Sequence, residues 1–259
     1  MYAIVINQKQ TISAEQGQSL AKILGVTLYD IRQRLIHTGP LVVSVQAETI
    51  QAEQLVHQLQ HVGLNAFSTD IDLALNKRPV FHVRSFKFGT DRLHVFDSNQ
   101  REAAIPYRSI RLILPVDQTS HQTEIRSVSE RKLSIGKTVM MGGLPMSKKV
   151  VHNEDISRDS HERTLYLCGG KNARLVCPQD GMRYDSFADE KTALRTVNFN
   201  LFVTKVRQKC APSAYDEALK VRAGRAKLLG PTLDPDNYVE LAVDILATSV
   251  KTDKIASSK

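Results

Sequence analysis

"DPDNYVELAVDILATSV", residues 234–250, is the clearest helix in the chain, and what covers it decides how the protein is built. Asp234 stands where an N-cap belongs, and Pro235 follows at the first helical position, where a missing N–H costs nothing. Tyr238, Leu241, Ala242, Ile245, Leu246 and Ser249 recur at helical spacing and form one stripe. Such a stripe must be buried. Either the chain's own core takes it, or a neighbouring subunit does, since the helix follows the linker "GPTLDP"; the second case makes Tyr238, Leu241, Ile245 and Leu246 the expected oligomer contact. The closing "KTDKIASSK" is expected to be disordered.

Working back from this helix, Ala211-Pro212 ends another expected over about 196–210. Ser213 is expected to cap the next, "AYDEALKVRAGRAKLLG", with Asp216 and Glu217 in its acidic first turn. Between Arg195 and Lys227 there are 8 basic and 2 acidic residues, a face suited to phosphates, so a nucleic-acid-binding protein is the alternative reading. The scarcity of aromatic interleaving there and the absence of any Trp in the chain weigh against it.

From Pro79 the period is that of strands: "VFHVRSF", "RLHVFD" and "YRSIRLILP", then "RTLYLC", "ARLVC" and "MRYDSF", with "KFGTD", "DSNQRE" and "PQDG" as turn material. Residues 117–160 interrupt as a low-apolar insertion. Six strands closed by one helix resemble the pleckstrin-homology-like superfold. The resemblance covers roughly 79–116 and 161–210 and rests on element order. It implies that basic residues of the first hairpin, here Arg84, Lys87 and Arg92, could take an anionic lipid, although His94 stands where a second Arg would be expected and Asp91 is close by.

Within the insertion, "SIGKTVMMGGLPMSKK" at 134–149 looks like a phosphate loop and is not one. A nucleotide P-loop needs a Gly five residues before Gly136, and that position is Arg131. What remains is a charge concentration: Arg131, Lys132, Lys137, Lys148 and Lys149 fall in a stretch without Asp or Glu. Val139, Met140, Met141, Leu144 and Met146 make it too apolar for a purely solvated loop, so it is expected to dock on a partner.

Residues 1–76 carry 4 basic and 6 acidic side chains, residues 77–116 carry 8 and 3, and the whole chain is net +8. This step places an expected domain boundary near Asn76 to Pro79. The expected divisions are 1–76, a small α/β module; 77–230, a β-rich domain with the insertion 117–160; and 231–259, the amphipathic helix and tail. In the first, Tyr2 to Ile6 is a strand; Ser13 with Gln16, and Thr27 with Asp30, are capping pairs; "GPLVVSV" is a strand apolar enough to be buried on both faces; "ETIQAEQLVHQLQHVG" is a helix and "LNAFST" a third strand. The order resembles a ferredoxin-like half or similar small α/β module. His57 and His61 stand four apart on the helix but point away from its apolar stripe, and Gln58 occupies the position of a metalloprotease Glu, so they are read as solvated.

No run approaches the length of a membrane span, and "MYAIVINQKQ" lacks the features of a signal peptide, so a cytoplasmic location is expected. Cys168, Cys177 and Cys210 match no zinc or redox spacing and read as small buried hydrophobes, "CGGKN" at 168–172 being a hairpin turn. No catalytic fingerprint occurs, and neither a cofactor nor a metal is implied. The sequence thus describes an α+β protein, non-enzymatic, acting as an adaptor or regulatory partner of other proteins and self-associating. Nucleic acid, then an anionic membrane surface, are the alternative partners.

Overall fold

The computed structural model describes residues 1–8, 12–35, 38–77, 79–133, 147–169 and 174–256, with side chains for all of these except 77, 119–133, 147–160 and 251–256. Residues 1–118 and 162–259 form one compact unit, and residues 119–161 form a second.

The first unit starts with β1 (Tyr2–Gln8), α1 (Ala14–Leu24), α2 (Leu28–Arg34), β2 (Gly39–Gln46), α3 (Thr49–His61) and β3 (Ala66–Asp70). Both capping boxes form: Ser13 Oγ accepts from the Gln16 N–H at 3.1 Å, and Thr27 Oγ1 accepts from the Asp30 N–H at 3.2 Å. β1 lies between β2 and β3 and is antiparallel to each, so β2 and β3 run parallel with α3 as their crossover. Ile4, Ile6, Leu41 and Val43 face α1–α3 in one core, while Ala3, Val5 and Val42 face the other way into a second. The alternation follows from the two-residue period of a strand.

Next come β4 (Val80–His82), β5 (Ser85–Phe88), β6 (Arg92–Phe96) and β7 (Glu102–Pro106). β5, β6 and β7 make a three-stranded sheet. β8 (Ile110–Leu133), β9 (Ser147–Gly169), β10 (Arg174–Pro178) and β11 (Ala214–Tyr215) join β4 in a five-stranded sheet of order β11-β8-β9-β10-β4. Three further α-helices lie among the described residues, α4 (Arg195–Lys209), α5 (Arg222–Leu229) and α6 (Val239–Ala256). The architecture is mixed α+β with several sheets.

The five-stranded sheet is covered on both faces. Leu112, Leu114, Val116, Tyr166, Cys168 and Val176 enter the core that also holds Ala3, Val5 and Val42, together with α5 and α6. Ile113, Leu165, Leu167, Leu175 and Cys177 point into a third core with Phe86, Leu93 and Val95 of the smaller sheet and Phe199, Phe202 and Val206 of α4. Phe86 is its hub, with the rings of Phe88, Phe187 and Phe202 at 5.4, 5.2 and 4.6 Å.

This layering overturns the oligomer contact. Val239, Leu241, Ala242, Val243, Ile245 and Leu246 are each no more than 3% exposed, and Tyr238 packs against the same core. A helix apolar nearly all round is one that lies inside its own protein. It is sandwiched between strands from before and after Asn76, so the charge step there marks no break between cores.

Other differences have local causes. Residues 117–160 are not a bare interruption, because β8 continues to Leu133 and β9 begins at Ser147. A ladder needs paired backbones and not apolar periodicity, so polar strands escape a hydrophobic pattern. Ala214–Tyr215 pairs in parallel with Leu112–Ile113, which holds the expected helix start as strand, and a turn follows before the helix begins at Arg222. Ser213 caps no helix; its hydroxyl donates to the Ile110 carbonyl at 2.6 Å. "MRYDSF" ends in a 3₁₀ turn over Asp185–Glu190. The last helix begins at Val239, so Asp234 and Pro235 are not its N-cap and first position; Asp234 Oδ1 instead accepts the N–H groups of Asp236 and Asn237 at 2.8 and 3.0 Å in the turn that precedes it.

Candidate functional site

β2 is an outer strand whose ladder partner is β1. Its register with β1 runs Ile4 to Ser44 and then Val5 to Val42, leaving Val43 as an extra residue in a bulge. After the bulge Val45 packs toward the core shared with α6, and Ser44 and Gln46 turn to the helical side of the sheet. There they meet α3, which buries Ala52 and Leu59 and sets Gln51, Gln54 and Gln58 along the adjoining stripe at the i, i+3, i+7 spacing.

These residues line a groove of about 230 Å³ together with Ile23, Leu24 and Leu55. Gln46 Nε2 donates to Ser44 Oγ at 3.0 Å. The carboxamides of Gln51, Gln54 and Gln58 make no hydrogen bond with a described residue. No ionisable side chain lines the groove. A carboxamide offers two donors and an acceptor, so four of them beside an outer strand can bond a peptide backbone. They provide no nucleophile, base or metal ligand.

The basic residues expected from the hairpin lie on β5 and β6 or beside them. Lys87 stands opposite His94 in the β5–β6 ladder and 6.0 Å from the Phe96 ring centroid. Arg92 Nε is 3.4 Å from the Asp91 carboxylate, the Arg84 guanidinium donates to the Gly181 carbonyl, and His94 Nδ1 meets Glu102 at 2.6 Å. Two carboxylates therefore stand among the hairpin's cations. Arg131, Lys132, Lys148 and Lys149 have side chains outside the described residues, and Lys137 lies outside them altogether, as do Val139, Met140, Met141, Leu144 and Met146.

Most cations between Arg195 and Lys227 are committed internally. Arg195 donates to the Asp180 carbonyl at 2.9 Å, and Lys205 to Glu190 at 2.5 Å. Arg207 stacks 3.8 Å from the Tyr215 ring centroid, Lys209 lies 5.4 Å from that of Tyr107, and Lys220 is 3.5 Å from Glu217. Arg222 binds Asp236 at 2.7 Å. Arg225, 1% exposed, donates to the carbonyls of Pro235, Asp117 and Leu219 and to Asp236. A run of charge in sequence is here a set of internal ties.

The three cysteines and Tyr107 are withdrawn from solvent. Burial pushes the Cys177 thiol well above its ordinary range and that of Cys210 up to about 11. Burial likewise raises the Tyr107 phenol to about 12. The rings of His57 and His61 are 5.9 Å apart, and no group of three potential metal ligands occurs among the described residues. No helix among the described residues is long and apolar enough to cross a membrane. Comparison with known protein families, with curated proteins and with solved structures finds no match, so the groove is read from its geometry alone.

The sequence reading missed the glutamine stripe. It followed the apolar positions of α3, which locate the core, whereas Gln51, Gln54 and Gln58 carry the complementary signal at the same helical period.

Proposed function

We propose that this protein is a non-enzymatic adaptor that captures an extended, uncharged segment of a partner protein in the groove beside β2. The observation carrying this is the run of carboxamides, Gln46, Gln51, Gln54 and Gln58, next to an outer strand with no charge among them. A charged segment would lose hydration there and gain no counter-ion, whereas a neutral backbone gains hydrogen bonds worth about 0.5–1.5 kcal/mol each. Ile23, Leu24 and Leu55 supply the apolar contact that an alternating strand needs on one face.

The test uses a capped hexapeptide of alternating threonine and valine, titrated while amide resonances are followed by NMR. Shifts should concentrate at Ser44, Gln46, Gln51, Gln54 and Gln58. The same peptide methylated on alternate backbone nitrogens should bind at least about tenfold more weakly, since each blocked bond removes a donor. Equal binding of the methylated peptide, or shifts located elsewhere, defeats the reading.

A further inference from the structure

A larger cleft of about 670 Å³ opens where the end of α2 and the start of β2 meet α5 and the loop from Gly230 to Pro235. Three cations line it, Arg34, Arg222 and Lys227, against one carboxylate, Asp234. Their commitments differ. Arg222 is held by Asp236 at 2.7 Å, and Asp234 accepts the N–H groups of Asp236 and Asn237. Arg34 and Lys227 have no hydrogen-bond or ion partner among the described residues. Two cations without a partner thus line one concave space, and with Arg222 paired to Asp236 and the Asp234 carboxylate still charged the lining stays positive.

The cleft is also held in shape before any ligand arrives. Gly230 has φ +71°, and a Cβ built on it would sit 3.0 Å from the Val42 carbonyl oxygen, so the loop passes close against β2 as only glycine allows. Pro231 and Pro235 restrict the loop further. Buried Arg225 fixes its far end through the Pro235 carbonyl at 3.2 Å and Asp236 at 2.9 Å. A preformed wall lowers the ordering cost of binding. The volume falls within that of small-molecule sites, and Leu41, Leu233 and Ala226 give an apolar lining beside the charges.

We infer that this cleft binds a small phosphate monoester, the phosphoryl group held between Arg34 and Lys227. A doubly charged phosphoryl oxygen set matches two free cations, one of them a guanidinium able to bind two oxygens at once. A nucleic-acid strand is disfavoured because no aromatic side chain lines the cleft to stack a base. The site is separate from the carboxamide groove, and its lining shares no residue with it.

Glycerol 3-phosphate is the probe, titrated by calorimetry into the full chain, with glycerol as the uncharged comparison. Vesicles of phosphatidylcholine containing phosphatidic acid form a parallel arm, because the same headgroup chemistry can come from a membrane. Saturable binding of the soluble ester, absent with glycerol and weakened at least about tenfold by Lys227→Gln, is the expected result. Arg34→Gln should act alike, and Lys87→Gln on the β5–β6 hairpin should change nothing. Lys227 is exposed, so its variant keeps the test valid if Arg34→Gln folds poorly. Binding to the vesicles alone, with the same dependence on Lys227, assigns the headgroup to a membrane. Failure of both probes to bind, or binding that ignores Lys227→Gln, overturns the inference.

Discussion

Arg174 on β10 and Asp244 on α6 pair at 3.1 Å with their side chains only 4% and 2% exposed. Arg174 also donates to Glu240, which in turn accepts the Tyr166 hydroxyl at 2.8 Å. One strand, its neighbour and the central helix are joined by charge inside an apolar layer. Desolvating such a pair is costly, so each ion depends on the other.

Removing one partner should therefore hurt more than removing both. Asp244→Ala should cost less in urea unfolding than the about 3–5 kcal/mol of a fully stranded buried ion, because the Arg174 guanidinium loses one carboxylate and keeps Glu240. Arg174→Met combined with Asp244→Leu should cost markedly less. A double variant as unstable as Asp244→Ala would show that the pair contributes more than mutual compensation.

Gly224 offers a prediction in which helix propensity gives the wrong sign. Alanine is favoured over glycine inside a helix by about 1 kcal/mol. A Cβ at 224 would nevertheless collide with the Ala218 carbonyl oxygen, a backbone atom that cannot swing away. Gly224→Ala is expected to destabilise by about 1–3 kcal/mol, the range for overpacking. Thermal unfolding of the variant decides between the two.

Acid should weaken the loop that walls the cleft. The hydrogen bond from Arg222 holds the Asp236 carboxyl below its usual range, against the opposing pull of burial, and the Arg225 bond assists. A depressed folded value means that the stabilisation is full above the unfolded value near 3.9 and is lost as pH falls through the folded one. Asp236 is 38% exposed, so solvent screening keeps the effect small. Wild-type stability should fall below about pH 4 more steeply than that of Asp236→Asn, as followed by denaturant midpoints. Parallel curves would remove Asp236 from the account.

The cysteines should be silent until the chain unfolds. Cys168, Cys177 and Cys210 are all buried, and burial raises the thiols of the last two. A thiol reagent at pH 8 should modify none of them quickly in the native protein and all three in denaturant. Fast modification of one in the native state would reveal an opening that this packing does not contain.

What could be read beforehand was local. Ser13 with Gln16 and Thr27 with Asp30 form their caps between residues three positions apart, and "GPLVVSV" shows its two buried faces in its own composition. β7 escaped because Glu102, Ala103 and Ala104 have weak strand preference and pair only where β6 holds them. The start of α5 moved because Tyr215 is tied to Ile113, about a hundred positions earlier. The stripe on α6 was visible, but its cover was not: Ala3, Val5 and Leu114 lie far away along the chain. The cleft has the same character, since Arg34 and Lys227 meet only after β2 and α5 have packed.

Synthesis order gives the central position of α6 a further meaning. β1–β3 and the strands of the five-stranded sheet all precede residue 239 in the chain, so both layers are synthesised before the helix that covers one face of each. Until Val239 to Leu246 follow, the nascent chain carries two surfaces prone to stick to each other wrongly or to other chains. The helix acts as a keystone between them, so a chain without it would leave both apolar faces open to other chains.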